Sequence, residues 1–144
     1  MGYSFRELSA WISLAVIGSV SAFYLNAVAH APQDSGGLLI QFAAVVIILE
    51  IVLHVLLSLF RRPEAADERD SAIAGRGYRL AYFALASGAF LALVVSLMPV
   101  FAERIAILRA FPEGARPANI LILTMIAAEV LNYGSQIVSY RRGH

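Results

Sequence analysis

Residues 38–60 read LLIQFAAVVIILEIVLHVLLSLF, an apolar run whose one formally charged side chain, Glu50, stands near its centre. At 1.5 Å of rise per residue, a helix of this length crosses the ~30 Å hydrocarbon core of a bilayer. Three stretches of similar length accompany it: Leu8–Ala29, Tyr78–Val100 and Ala118–Tyr140. Hydrophobic residues make up 60% of the 144-residue chain and charged residues 15%. A soluble domain carries about 25% charged residues. Four such runs cannot all be hidden in so short a chain, and the connections between them are too short for a soluble domain. The expected fold is all-α: a polytopic membrane protein, one four-helix bundle occupying residues 1–144, with the lipid bilayer as its main partner.

The first stretch also has features of a signal peptide, with the short segment Met1–Glu7 before it and an A-x-A pattern at Ala29-His30-Ala31. Its apolar run is longer than an ordinary signal core, and Pro32 would follow the cut directly. It is therefore read as a membrane helix.

All 11 basic residues are arginine, and their placement is lopsided. Arg6 precedes the first span. Arg61, Arg62, Arg69, Arg76 and Arg79 lie between the second and third, and Arg141 and Arg142 follow the fourth. The opposite side holds Arg104, Arg109 and Arg116. By the positive-inside rule both termini are expected in the cytoplasm, so each half of the chain forms an in–out–in hairpin. The halves resemble each other. Glu50 precedes Arg61-Arg62 as Glu129 precedes Arg141-Arg142, and Gly18 and Gly88 lie near the centres of the first and third spans. An internal repeat of residues 1–62 and 76–142 is expected, parallel in the membrane. The small-residue spacings Ser9-xxx-Ser13, Gly18-xxx-Ala22 and Ala84-xxx-Gly88-xxx-Ala92 suit close helix packing in lipid.

Glu129 sits at the middle of the fourth span as Glu50 does in the second. A carboxylate at that depth costs roughly 2.5–3.5 kcal/mol on insertion scales, so two of them call for a use. His54 lies one turn after Glu50, and Asn132, Tyr133 and Gln136 continue the stripe that Glu129 begins. Facing stripes would meet at the midplane, with no arginine at that level, and the pair is expected to share a proton or a bound cation. The candidate proton or cation site is therefore Glu50, Glu129, His54, Asn132 and Tyr133. Two other readings are open. Glu50, His54 and Glu129 are also a carboxylate–imidazole set suited to Zn, Mn or Fe. The glutamates are also suited to serve as hydrogen-bonded glue between helices or across a homodimer, though such bonds average only about 0.6 kcal/mol in membranes.

Between the second and third spans lies Pro63-Glu64-Ala65-Ala66-Asp67-Glu68-Arg69-Asp70, with Ile73 just beyond. Asp67 is suited to cap a helix with Asp70 in its first turn, so the third helix is expected to begin near Asp67, with Gly75 and Gly77 as a bend. Asp67, Glu68, Arg69, Asp70 and Ile73 are also candidate docking residues for a cytoplasmic protein partner. The order Asp67-Glu68-Arg69-x-x-x-Ile73 resembles the D-E-R-x-x-x-I signature of uncharacterised small bacterial membrane proteins. That resemblance implies a bacterial inner-membrane protein and transfers no catalytic residue. On the other side, Glu103–Arg109 has the make-up of a short interfacial helix ended by Pro112 and Gly114.

Other classes find little support. There is no cysteine, hence no disulfide or thiolate site, and the net charge of +1 offers nothing to a nucleic acid. No phosphate-binding loop, zinc-protease motif or nucleophile elbow occurs, so no enzyme is expected. No cofactor is expected either: His30, His54 and His144 fall at different depths and cannot pair as haem ligands.

Overall fold

A computed structural model describes residues 4–30, 35–61, 65, 67–109 and 111–142. Several residues singled out above lie outside them: Met1, Ala31 and Pro32 about the first span, Arg62, Pro63, Glu64 and Ala66 between the second and third, and His144. The described residues are helical and contain no strand. Helices α1 (Phe5–His30), α2 (Ser35–Phe60), α3 (Glu68–Leu97) and α5 (Arg116–Arg142) are long; α4 (Ala106–Arg109) is one short turn. The four long helices are long and apolar enough to cross a membrane.

Local chemistry sets the helix ends. The Ser4 hydroxyl accepts the Glu7 N–H at 3.1 Å and caps α1. Asp67 caps α3 from an extended backbone. Its side chain accepts the Asp70 N–H at 2.6 Å while Asp70 reaches back to the Asp67 N–H. These two acids thus satisfy amide groups that the first turn of a helix leaves free. At its other end α3 stops at Leu97 rather than Val100. Pro99 has no N–H to continue the ladder, so the last bond is Met98 N–H to Val94 O at 2.8 Å. The expected interfacial helix over Glu103–Arg109 is two pieces. A 3₁₀ segment runs Pro99–Arg104, Ile105 is extended, and α4 follows. α3 runs through Gly75 and Gly77 unbroken, and Gly77 lets α5 approach: a Cβ there would lie 2.9 Å from the Asn132 backbone oxygen.

The helices lie in the order α2–α1–α5–α3. α3 and α5 make the tightest pair, α5 also packs on α1, and α2 packs on α1. α2 is the most exposed, with 6% of its apolar window buried. In a symmetric pair of hairpins α2 would also grip α3 as α5 grips α1. No comparable α2–α3 contact exists among the described residues.

The two ends of the assembly differ. One end gathers the start of α1, the end of α2, the start of α3 and the end of α5, and is polar. There Arg6 Nε lies 3.2 Å from Asp70, Tyr140 donates to Asp70 at 3.0 Å, and Arg141 Nε lies 2.8 Å from Glu7. We call it the terminal end. The far end holds the apolar core, in which Tyr24, Val28, Val95, Leu108, Ile120 and Ile122 are buried together. Its polar groups are paired within it. Tyr24 donates to Asn119 at 3.0 Å, and buried Arg116 lies 2.7 Å from Glu103 and donates to the Phe111 carbonyl at 3.1 Å.

Candidate functional site

Glu50 and His54 are four residues apart, so their side chains leave one face of α2 a turn apart. Ser9 and Ser13 have the same spacing on α1. The two pairs meet as rungs. Ser13 donates to Glu50 Oε2 at 2.9 Å, and the Ser9 hydroxyl lies 2.7 Å from His54 Nε2. His54 Nδ1 lies 2.8 Å from the Glu50 carbonyl oxygen and 3.1 Å from Glu50 Oε2. Both neighbours of Nδ1 are acceptors, so Nδ1 carries the hydrogen. The neutral ring then takes the Ser9 hydroxyl hydrogen at Nε2. These rungs tie the exposed α2 to α1, and they fill the donors and acceptors of His54.

Glu50 Oε1 is different: it is buried and has no hydrogen-bond partner. Glu50, Glu129 and Tyr133 line one cavity of about 320 Å³ between α1, α2 and α5. The rest of its wall is Ile17, Phe42, Val46, Met125 and Ile126. The central acids of both halves therefore do come to one space, together with the predicted Tyr133.

Other expectations need correction. Glu129 is exposed rather than enclosed, since α2 leans on α1 and leaves the α5 edge at Met125 and Glu129 open. Asn132 is buried at 4% exposure and packs on α3 at Gly77. Its amide only reaches Glu129 Oε2 at 3.4 Å, while Gln136 donates to its Oδ1 at 2.9 Å. It is an α3–α5 contact first and a neighbour of the site second. The proposed metal set does not assemble: among the described residues no three His, Asp or Glu side chains gather around one point.

A second cavity of about 240 Å³ opens at the terminal end. Arg6, Asp70 and Tyr140 stand in its wall at that end, and Ser13, His54 and Tyr133 in its wall toward Glu50. Tyr133 belongs to both cavities. A line of polar groups thus joins the terminal end to the carboxylates, whereas the far end is packed with apolar side chains.

Of the acidic-loop residues, Asp67 and Asp70 are engaged in the cap, and Asp70 also meets Arg6 and Tyr140. Ile73 is 2% exposed, in the packed interior. Glu68 and Arg69 remain exposed.

Ser9 and Ser13 were read in the sequence only as small packing residues. Their signal was present, because two hydroxyls one turn apart match the Glu50–His54 spacing. Nothing in the sequence says that α1 rather than α3 presents the match. Compared with protein-family models, with curated proteins and with solved structures, the chain matches none, so its chemistry must be reasoned from these two cavities.

Proposed function

We propose that this chain is a small multi-pass protein of the bacterial cytoplasmic membrane that binds a proton, or a small cation in its place, at Glu50 and Glu129, and that binding serves transport. One observation carries the reading: both acids and Tyr133 border one cavity, and Glu50 Oε1 is buried with no hydrogen-bond partner. A buried oxygen without a donor is costly, at about 1–3 kcal/mol, and a proton or cation on it relieves that cost. Ser13 and His54 hold the other oxygen and fix the carboxyl plane. His54 and Tyr133 stand between the acids and the terminal-end cavity, placed to pass a proton inward. Asn132 steadies Glu129 from the neighbouring turn.

The arginine distribution puts the terminal end, with both termini, in the cytoplasm, so the site would load from that side. The two-hairpin repeat and a homodimer belong to the same proposal. A second copy against α2 and the α5 edge would cover the exposed Glu129. In the alternative reading, an adaptor would dock a cytoplasmic partner through Glu64–Ile73. Exposed Glu68 and Arg69 would then be its contact surface.

The deciding experiment is carboxyl infrared difference spectroscopy in lipid across pH, with Glu50→Gln and Glu129→Gln for assignment. The expected result is a carboxyl band that changes with pH or with added cation and disappears in one or both variants. Bands that hold their intensity at every pH and ignore added cations would reduce the glutamates to structural donors.

A further inference from the structure

The wall of the Glu50–Glu129 cavity does not suit an inorganic ion. Hard cations such as Ca²⁺ take about 6–8 oxygen ligands, and Mg²⁺ holds on to its waters. This cavity offers two carboxylates and one phenol, and the remaining wall is aliphatic, thioether or phenyl. A dehydrated ion would lack ligands, and a hydrated one would press its waters against apolar side chains.

An organic cation matches both halves of the wall. Its charge meets Glu50 and Glu129, and its apolar substituents meet Ile17, Val46 and Ile126. Phe42 and Tyr133 add aromatic rings to the wall, side chains that attract a cation placed over them. Phe42 is held in place by Tyr24, at a ring-centroid distance of 4.9 Å. The volume, about 320 Å³, falls in the range of small-molecule sites, ~300–1,000 Å³. The route fits as well. α2 packs on α1, and Met125 and Glu129 are exposed at the α5 edge, so the cavity is open toward the side where lipid would lie. An apolar cation concentrates in that lipid.

We propose that this cavity binds a monovalent organic cation with apolar substituents, taken up sideways from the bilayer in exchange for one carboxyl proton. The exchange balances: the carboxyl O–H bond breaks, the proton leaves to solvent, and the carboxylate keeps its electron pair and faces the cation. The proposal rests on the reading that these glutamates carry an exchangeable proton.

The test uses the full-length protein in lipid nanodiscs, with empty nanodiscs as the partition control. Tetraphenylphosphonium is the probe, and its equally sized anion tetraphenylborate is the comparison. Binding is followed by calorimetry in buffers of different ionisation enthalpy, which counts released protons. The expected result is saturable binding of the phosphonium only, with close to one proton released per cation. Glu129→Gln should weaken it at least tenfold. Val46→Trp should block it by filling the cavity. Phosphonium uptake equal to that of empty nanodiscs, equal binding of the borate, or full binding by Glu129→Gln would each overturn the proposal. The infrared titration of the same samples separates the two ideas. Carboxyls that titrate without binding the phosphonium sink this inference and leave the proton site standing. Carboxyls that never titrate sink the proton site itself.

Discussion

Gly18 and Gly88 occupy matching positions in the two halves of the sequence, and the structure predicts opposite consequences for the same substitution. A Cβ at Gly88 would fall onto the Oγ1, Cγ2 and Cβ atoms of Thr124, all well inside contact distance. Thr124 cannot simply turn away, because its hydroxyl donates to the Ile120 carbonyl at 2.7 Å, and rotation would break that bond. The α3–α5 pair must therefore separate at its tightest crossing. Overpacking of this kind costs typically 1–3 kcal/mol. Replacing a helical glycine by alanine returns up to about 1 kcal/mol. Gly88→Ala should thus be destabilising by about 1–2 kcal/mol. Gly18 has nothing within 4 Å of an added Cβ. Gly18→Ala keeps the whole propensity gain and should be neutral or stabilising by up to about 1 kcal/mol. The assay is reversible unfolding in mixed micelles with increasing denaturing detergent, read by helix content. Gly88→Ala combined with Thr124→Gly should recover part of the loss, since it removes the three nearest atoms the new methyl would meet. If Gly18→Ala and Gly88→Ala shift the midpoint equally, or Gly88→Ala leaves it unmoved, the close α3–α5 crossing is wrong.

Three further outcomes follow from the geometry. The chain has no cysteine, so single cysteines report access cleanly. Gln136→Cys in the terminal-end cavity should react with a membrane-impermeant maleimide added from the side of the termini, and Ile122→Cys in the far-end core should react from neither side. Asp70→Ala removes a cap acceptor, the Arg6 contact and the Tyr140 acceptor together. It should cost about 1–3 kcal/mol by thermal denaturation. Tyr24→Phe leaves Asn119 Oδ1 without its donor inside the core and should lower stability by about 1–2 kcal/mol in the same measurement.

Much of this protein could be read from residue order alone. Apolar length determines spanning helices, because a backbone in lipid must satisfy its own hydrogen bonds. Asp67 and Asp70 mark the start of α3 because capping is a local event, complete within four residues. The central positions of Glu50 and Glu129 are likewise plain from counting. What order alone cannot decide is which helix faces which. In lipid the apolar faces are nearly equivalent partners, so small local contacts choose between them. Ser9 and Ser13 draw α2 to α1, Gly77 and Gly88 bring α3 against α5, and α2 is left on the edge. That one arrangement makes Gly88 a packing residue and leaves Gly18 open, although their sequence surroundings look alike. It also turns Asn132 toward α3 and exposes Glu129. The two acids share a cavity only because α1 packs on both α2 and α5, a relation between residues 79 positions apart that no local pattern in the chain encodes.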